Sequence, residues 1–131
     1  MVDSRGSMGK TSFENLKVYE LSEQLSDRIW DIVLRWDRFA MGTIGTQLVK
    51  AIDSVGANIA EGVGRFHLAD NRRFGLIARG SLYETRHWLR RAFVRNLLDK
   101  READSLACTL DELSKTLAGY LRSLSVRIQA S

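Results

Sequence analysis

At 131 residues, with one cysteine, no proline and a formal net charge of +4, the chain is sized for a single domain that needs no disulfide to hold its core. The lone Cys108 excludes an intrachain bridge and fits a reducing, cytoplasmic setting better than a secreted disulfide scaffold. Charges interrupt every apolar run, which excludes a spanning helix of roughly 20 apolar residues, and the polar opening has no signal-peptide core.

Residues 1–12 read as a disordered leader or a tag remnant, and 13–128 as the folded domain. Steps of three and four between apolar residues predict a first helix over Asn15 to Arg38, with Val18, Leu21, Leu25, Ile29, Ile32 and Trp36 on one stripe. Thr11 and Glu14 have capping-box spacing, and Asn15 is a competing start. Gly42 is a plausible stop, after which Thr43 caps a second helix carrying Ile44, Leu48, Ile52, Val55 and Ile59 and closing at Gly62 and Gly64. The third helix is expected from Ala69 or Asp70 to about Asn96, burying Phe74, Ala78, Leu82, Leu89 and Phe93. Asp99 and Glu102 form a capping-box pattern ahead of a fourth helix striped by Leu106, Leu110, Leu113, Leu117, Leu121, Leu124 and Ile128. Short connections make sequential helices neighbours, so the expected fold is all-α, an antiparallel up-down-up-down four-helix bundle.

Charge is concentrated on the third helix. Residues 65–95 hold eight arginines against Asp70 and Glu84, a local +6 that leaves −2 for the rest of the chain. Arg72, Arg79 and Arg86 are seven apart, so they drift by only about 20° per step while rising about 10 Å along the axis. Arg90 and Tyr83 fall within the same arc, and Arg65 continues the spacing before the helix begins. Such a row can follow a phosphate backbone, with Tyr83 as a stacking surface for an unpaired base. A second reading keeps the arginines for ion pairs, either with Glu23, Asp27, Asp104, Asp111 and Glu112 or across a subunit interface, and a third leaves them as a solvated face.

The stretch Gln47 to Gly62, the following Arg65-Phe66, the element Gly80-Ser81-Leu82-Tyr83-Glu84 and the opening Phe13-Glu14-Asn15-Leu16-Lys17-Val18-Tyr19 resemble a bacterial four-helix bundle family. Its members include S23-like proteins encoded in intervening sequences of large-subunit ribosomal RNA genes. The resemblance runs from Phe13 to Leu124 and implies a four-helix bundle in a ring-like homopentamer. It extends distantly to accessory variability proteins of diversity-generating retroelements, which implies RNA or DNA and a reverse transcriptase or another protein as partners, with no membrane. Carried over by motif, Gln47, Asn58, Glu61, Ser81 and Glu84 are expected to form a structural polar network across the second and third helices. Gly56 and Gly80 are expected to permit close helix approach.

Nothing in the spacing implies catalysis or a cofactor. Glu84 and His87 have the Glu-x-x-His spacing of di-iron bundles, but only one copy exists and Arg86 lies between them. Neither a metal nor catalytic residues are therefore expected, nor an enzyme. Trp30, Trp36 and Trp88 read as bundle filling, with subunit contact as the alternative. The expectation is a non-enzymatic homo-oligomer that binds nucleic acid through Arg65, Arg72, Arg79, Tyr83, Arg86 and Arg90; its rival is a protein-interaction scaffold.

Overall fold

The structure is a computed structural model that describes Phe13 and residues 16–131. The leader 1–12, the Thr11/Glu14 capping pattern and the start at Asn15 lie outside the described residues. Six helical elements follow in order: α1 Lys17–Val33, α2 Arg38–Ala40, a π turn at Met41–Gly45, α3 Thr46–Val63, α4 Leu68–Val94 and α5 Lys100–Ala130. The long helices α1, α3, α4 and α5 make the antiparallel bundle. α1 packs on α3 and α5, and α4 packs on the same two, so α1 and α4 stand diagonally opposed.

The first helix ends five residues before the expected Arg38. After Val33 the backbone tightens, with Arg35 N donating to Ile32 O and Trp36 N to Val33 O. Asp37 then starts the next element by accepting from Ala40 N at 2.9 Å, which satisfies a backbone donor that a helix start leaves orphaned. Gly42 and Thr43 are consequently neither a stop nor a cap. They sit inside the helical run, where Thr43 Oγ1 donates back to Phe39 O. Gly45 allows the π turn to press on α1, since a Cβ there would be 2.6 Å from Val33 Cγ1.

α4 ends at Val94 through a left-handed Asn96, φ 63°. Leu97 N reaches Ala92 O and Asn96 N reaches Phe93 O, the paired bonds of a Schellman closure with asparagine in the usual glycine position. The predicted core residue Phe93 is 43% exposed, while Ala92 and Leu98 are buried in its place. Ala92 continues the buried stripe of α4 from Leu89, and Leu98 turns inward after the closure. At α5 the capping box forms as expected: Asp99 accepts from Glu102 N, and Glu102 accepts from Asp99 N.

Each bundle helix contributes one apolar stripe to a single core. Leu25, Ile29, Leu48, Ile52, Val55, Ile59 and the α5 leucines from Leu106 to Leu124 are nearly or wholly inaccessible. Each buried leucine or isoleucine contributes roughly 1.5–3 kcal/mol. Ile32, Trp36 and Ile128 are only half-buried, with Val33 taking the inward place expected of Ile32.

Candidate nucleic-acid interface

α4 is long enough to carry its arginines past the whole flank of α5. Phe74, Ala78, Leu82, Leu89 and Ala92 fix which side of α4 faces inward, and Arg72, Arg79, Tyr83, Arg86 and Arg90 are thereby turned toward the outer lip of the α4/α5 seam. Three cavities follow one another along that seam. The first is bordered by Arg72 and Arg79, the second by Arg79, Tyr83 and Arg86, and the third by Arg86 and Arg90. Because Arg79 and Arg86 are each shared by two cavities, the three form one continuous groove.

The arginines differ in how they are held. Arg72 is half-buried and donates from Nε to Ser125 Oγ at 2.8 Å. Arg86 Nη2 lies 2.8 Å from Asp111 Oδ1, with about half of each side chain in solvent, so that pair contributes at most about 1 kcal/mol. Among the described residues Arg79 and Arg90 form no ion pair. Tyr83 is 68% exposed beside them. Arg65 does not join the row: it pairs with Glu61 at 3.0 Å and its guanidinium lies 4.7 Å from the Phe74 ring centroid. Arg73 approaches the same ring at the same distance.

The wall contributed by α5 is absent from the sequence-based site. Ser114, Ala118, Arg122 and Ser125 line the groove opposite Arg72 and Arg79, and Lys100, Ala103, Asp104 and Ala107 line it opposite Arg90. The recurrence of small residues at 107, 114, 118 and 125, beside the leucine stripe, is the signal that could have found it.

The expected polar network is only partly assembled. Ser54, a residue the motif does not include, joins Ser81 at 2.9 Å and accepts from Asn58 Nδ2 at 2.9 Å, stitching α3 to α4. Gln47, Glu61 and Glu84 stay on the surface. Glu61 goes to Arg65, and Glu84 accepts from Trp88 Nε1 at 3.2 Å. The His87 ring meets Trp88 edge-on. Among the described residues no three His, Cys, Asp or Glu side chains gather as a metal site, and no helix is long and apolar enough to cross a membrane. Trp36 and Trp88 pack partly on the core, whereas Trp30 is 52% exposed.

On the opposite face, the α1/α3 groove is lined by Glu23, Asp27 and Asp53, with Ser26 donating to Asp53. The Ser26–Asp53 and Ser54–Ser81 bonds fix the registers of adjoining helices. They set these carboxylates at the height of Arg79 and Tyr83 across the bundle.

A family model described as 23S rRNA-intervening sequence protein matches residues 14–119. A solved structure from Bacteroides thetaiotaomicron, of unknown function and from the S23 ribosomal protein family, is similar in fold, with a TM-score of 0.73 at 22% identity over 85% of this chain and 99% of that one. No curated protein matches the chain. With the match spanning most of the domain, and its four helices laid out as in that relative, the chain belongs to the 23S rRNA-intervening sequence protein family.

Proposed function

We propose that this chain is a non-enzymatic, cytoplasmic, homo-oligomeric protein that binds RNA or DNA along the α4/α5 groove. One observation carries the reading: four arginines and an exposed tyrosine border a continuous groove in which Arg79 and Arg90 have no carboxylate partner among the described residues. Guanidinium groups left free on a fixed helix suit phosphate, which they bind with short, charge-assisted hydrogen bonds. Spaced about 10 Å apart, they follow a backbone and read no bases.

The test is a fluorescence-anisotropy titration of labelled single-stranded and duplex RNA and DNA at two salt concentrations, with oligomer mass recorded on the same sample. Four phosphate contacts on a single strand give a log–log slope of about −2.8, a loss of roughly 50-fold in affinity between 50 and 200 mM salt. No binding at low salt sinks the proposal.

A second reading is favoured by the shared height of the acidic α1/α3 groove and Arg79. Opposite charges on opposite faces suit a head-to-tail contact between copies, which closes into a ring or runs on as a filament. In that case replacing the α4 arginines abolishes the oligomer, whereas the nucleic-acid reading leaves the mass unchanged.

A further inference from the structure

The two halves of the α4/α5 groove are not equivalent. Toward the α4–α5 turn its charge is largely cancelled, because Arg86 meets Asp111 and Lys100 meets Asp104 at 2.8 Å. Toward the other end, a cavity of about 250 Å³ is bordered by Arg72, Arg79 and Arg122 together with the hydroxyls of Ser114 and Ser125, and among the described residues no carboxylate lines it. Three guanidiniums on one small cavity repel one another unless an anion joins them. Arg72 is also oriented in advance: its Nε–H is committed to Ser125 Oγ, while its Nη groups have no protein acceptor among the described residues.

The neighbouring cavity, about 320 Å³, is of another kind. Leu82, Tyr83, Leu117 and Ala118 line it, and it too has no carboxylate among the described residues. The two share Arg79, Ser114 and Ala118. Arg79 and Tyr83 stand four residues apart, about 6 Å along the axis of α4, the separation between the phosphate of a nucleotide and its base.

We infer that these adjoining cavities form a site for one unpaired nucleotide, its phosphate among Arg72, Arg79 and Arg122 and its base against Tyr83. The inference rests on the nucleic-acid reading and narrows it. A base can reach Tyr83 only when it is not stacked in a duplex, so the site selects single strands, and stacking on a tyrosine face tolerates any base. Arg122, on α5, becomes a binding residue, and Ser125 becomes a positioning residue that acts through Arg72.

The experiment uses the full chain and three probes: inorganic phosphate, adenosine and adenosine monophosphate, each titrated while arginine Nε–H and tyrosine ring NMR signals are followed. The monophosphate is expected to shift the Arg72, Arg79, Arg122 and Tyr83 signals together and to bind at least tenfold more tightly than either half alone. Arg122→Ala should weaken the monophosphate at least fivefold and leave adenosine unchanged. Tyr83→Ala should weaken adenosine and leave inorganic phosphate unchanged, and Arg101→Ala, outside the groove, should change neither. A monophosphate no tighter than phosphate, or an Arg122→Ala variant that binds as the parent does, overturns the inference. If single-stranded RNA still binds in a manner that depends on Arg86 and Arg90, only the nucleotide site falls. If no RNA binds at all, the broader reading falls, and binding of the monophosphate would then assign the site to free nucleotides.

Discussion

Gly62 of α3 lies against Asn71 of α4 so closely that a Cβ on the glycine would stand 2.7 Å from Asn71 Oδ1 and 3.0 Å from Asn71 O. The same Oδ1 accepts the Tyr120 hydroxyl of α5 at 3.0 Å, so one asparagine ties three helices together at the end where α3 turns into α4. A backbone oxygen cannot swing aside as a side-chain tip can. Gly62→Ala should therefore destabilise by about 1–3 kcal/mol through overpacking, read as a shift of the urea midpoint. Gly80→Ala makes the contrast. Contrary to the expectation from sequence, Gly80 permits no close approach: among the described residues a Cβ there meets nothing within 4 Å, so that change should stabilise by roughly 0.5–1 kcal/mol through helix propensity alone. Equal effects at the two glycines would refute the close-approach account.

Asp37→Ala removes the carboxylate that accepts from Ala40 N. Loss of such a cap costs about 1 kcal/mol, and thermal melts should move down by a few degrees. The expected Thr43 cap gives the opposite forecast: if Thr43→Val costs more than Asp37→Ala, the second helical run begins where the sequence signal suggested.

Much of the bundle was legible beforehand, for identifiable reasons. The α5 leucines repeat without interruption and start from a capping box, so neither phase nor boundary was open. The α1–α3 junction misled because Gly42 and Thr43 look like a stop and a cap, while the decisive bond joins Asp37 to a backbone amide three residues on. Phe93 stays half-exposed because the inward stripe steps from Leu89 by three to Ala92 rather than by four, and apolar spacing allows either step. Seven-residue spacing revealed the arginine row on one helix. Its opposite wall depends on which helix stands beside α4, and no single-helix pattern carries that. The same limit applies to Gln47, Glu61 and Glu84, whose motif spacing does not separate a surface position from an inward one.

Replacing Arg72, Arg79, Arg86 and Arg90 together by alanine should lower the affinity for a single strand and reduce the steepness of its salt dependence by about 2.8 log units per log unit of salt. The loss should be equal across sequences, because phosphate contacts carry no base information. Sequence-dependent losses, or an unchanged slope, would count against the groove.

Tyr120 supplies a prediction in pH. Burial raises its phenol above the usual tyrosine range, outweighing the hydrogen bond with Asn71 and the charge of Arg127, which both act the other way. A proton held more tightly in the folded chain than in the unfolded one adds stability that is complete below about pH 10 and lost as pH rises through the folded value. Tyr120→Phe should thus cost about 1 kcal/mol at neutral pH, from the lost hydrogen bond to Asn71, and the gap from the parent should narrow in alkali. A gap that widens above pH 10 would contradict this sign.

The π turn at Met41–Gly45 bears on how this chain tolerates changes of length. A π turn holds one more residue than the α turn it replaces, and the helix continues on both sides of it without a break. The three inter-helix connections span only 34–37, 64–67 and 95–99, and two of them carry a cap or a left-handed closure that a deletion would disturb. Gly42 has none of those duties and no neighbour within 4 Å of a would-be Cβ. Its deletion can relax the bulge into ordinary α-helix, removing the one residue the π turn holds in excess and leaving both Thr46–Val63 and the segment upstream close to their present register. Homologues one residue shorter should accordingly carry their gap inside this helix rather than in a loop.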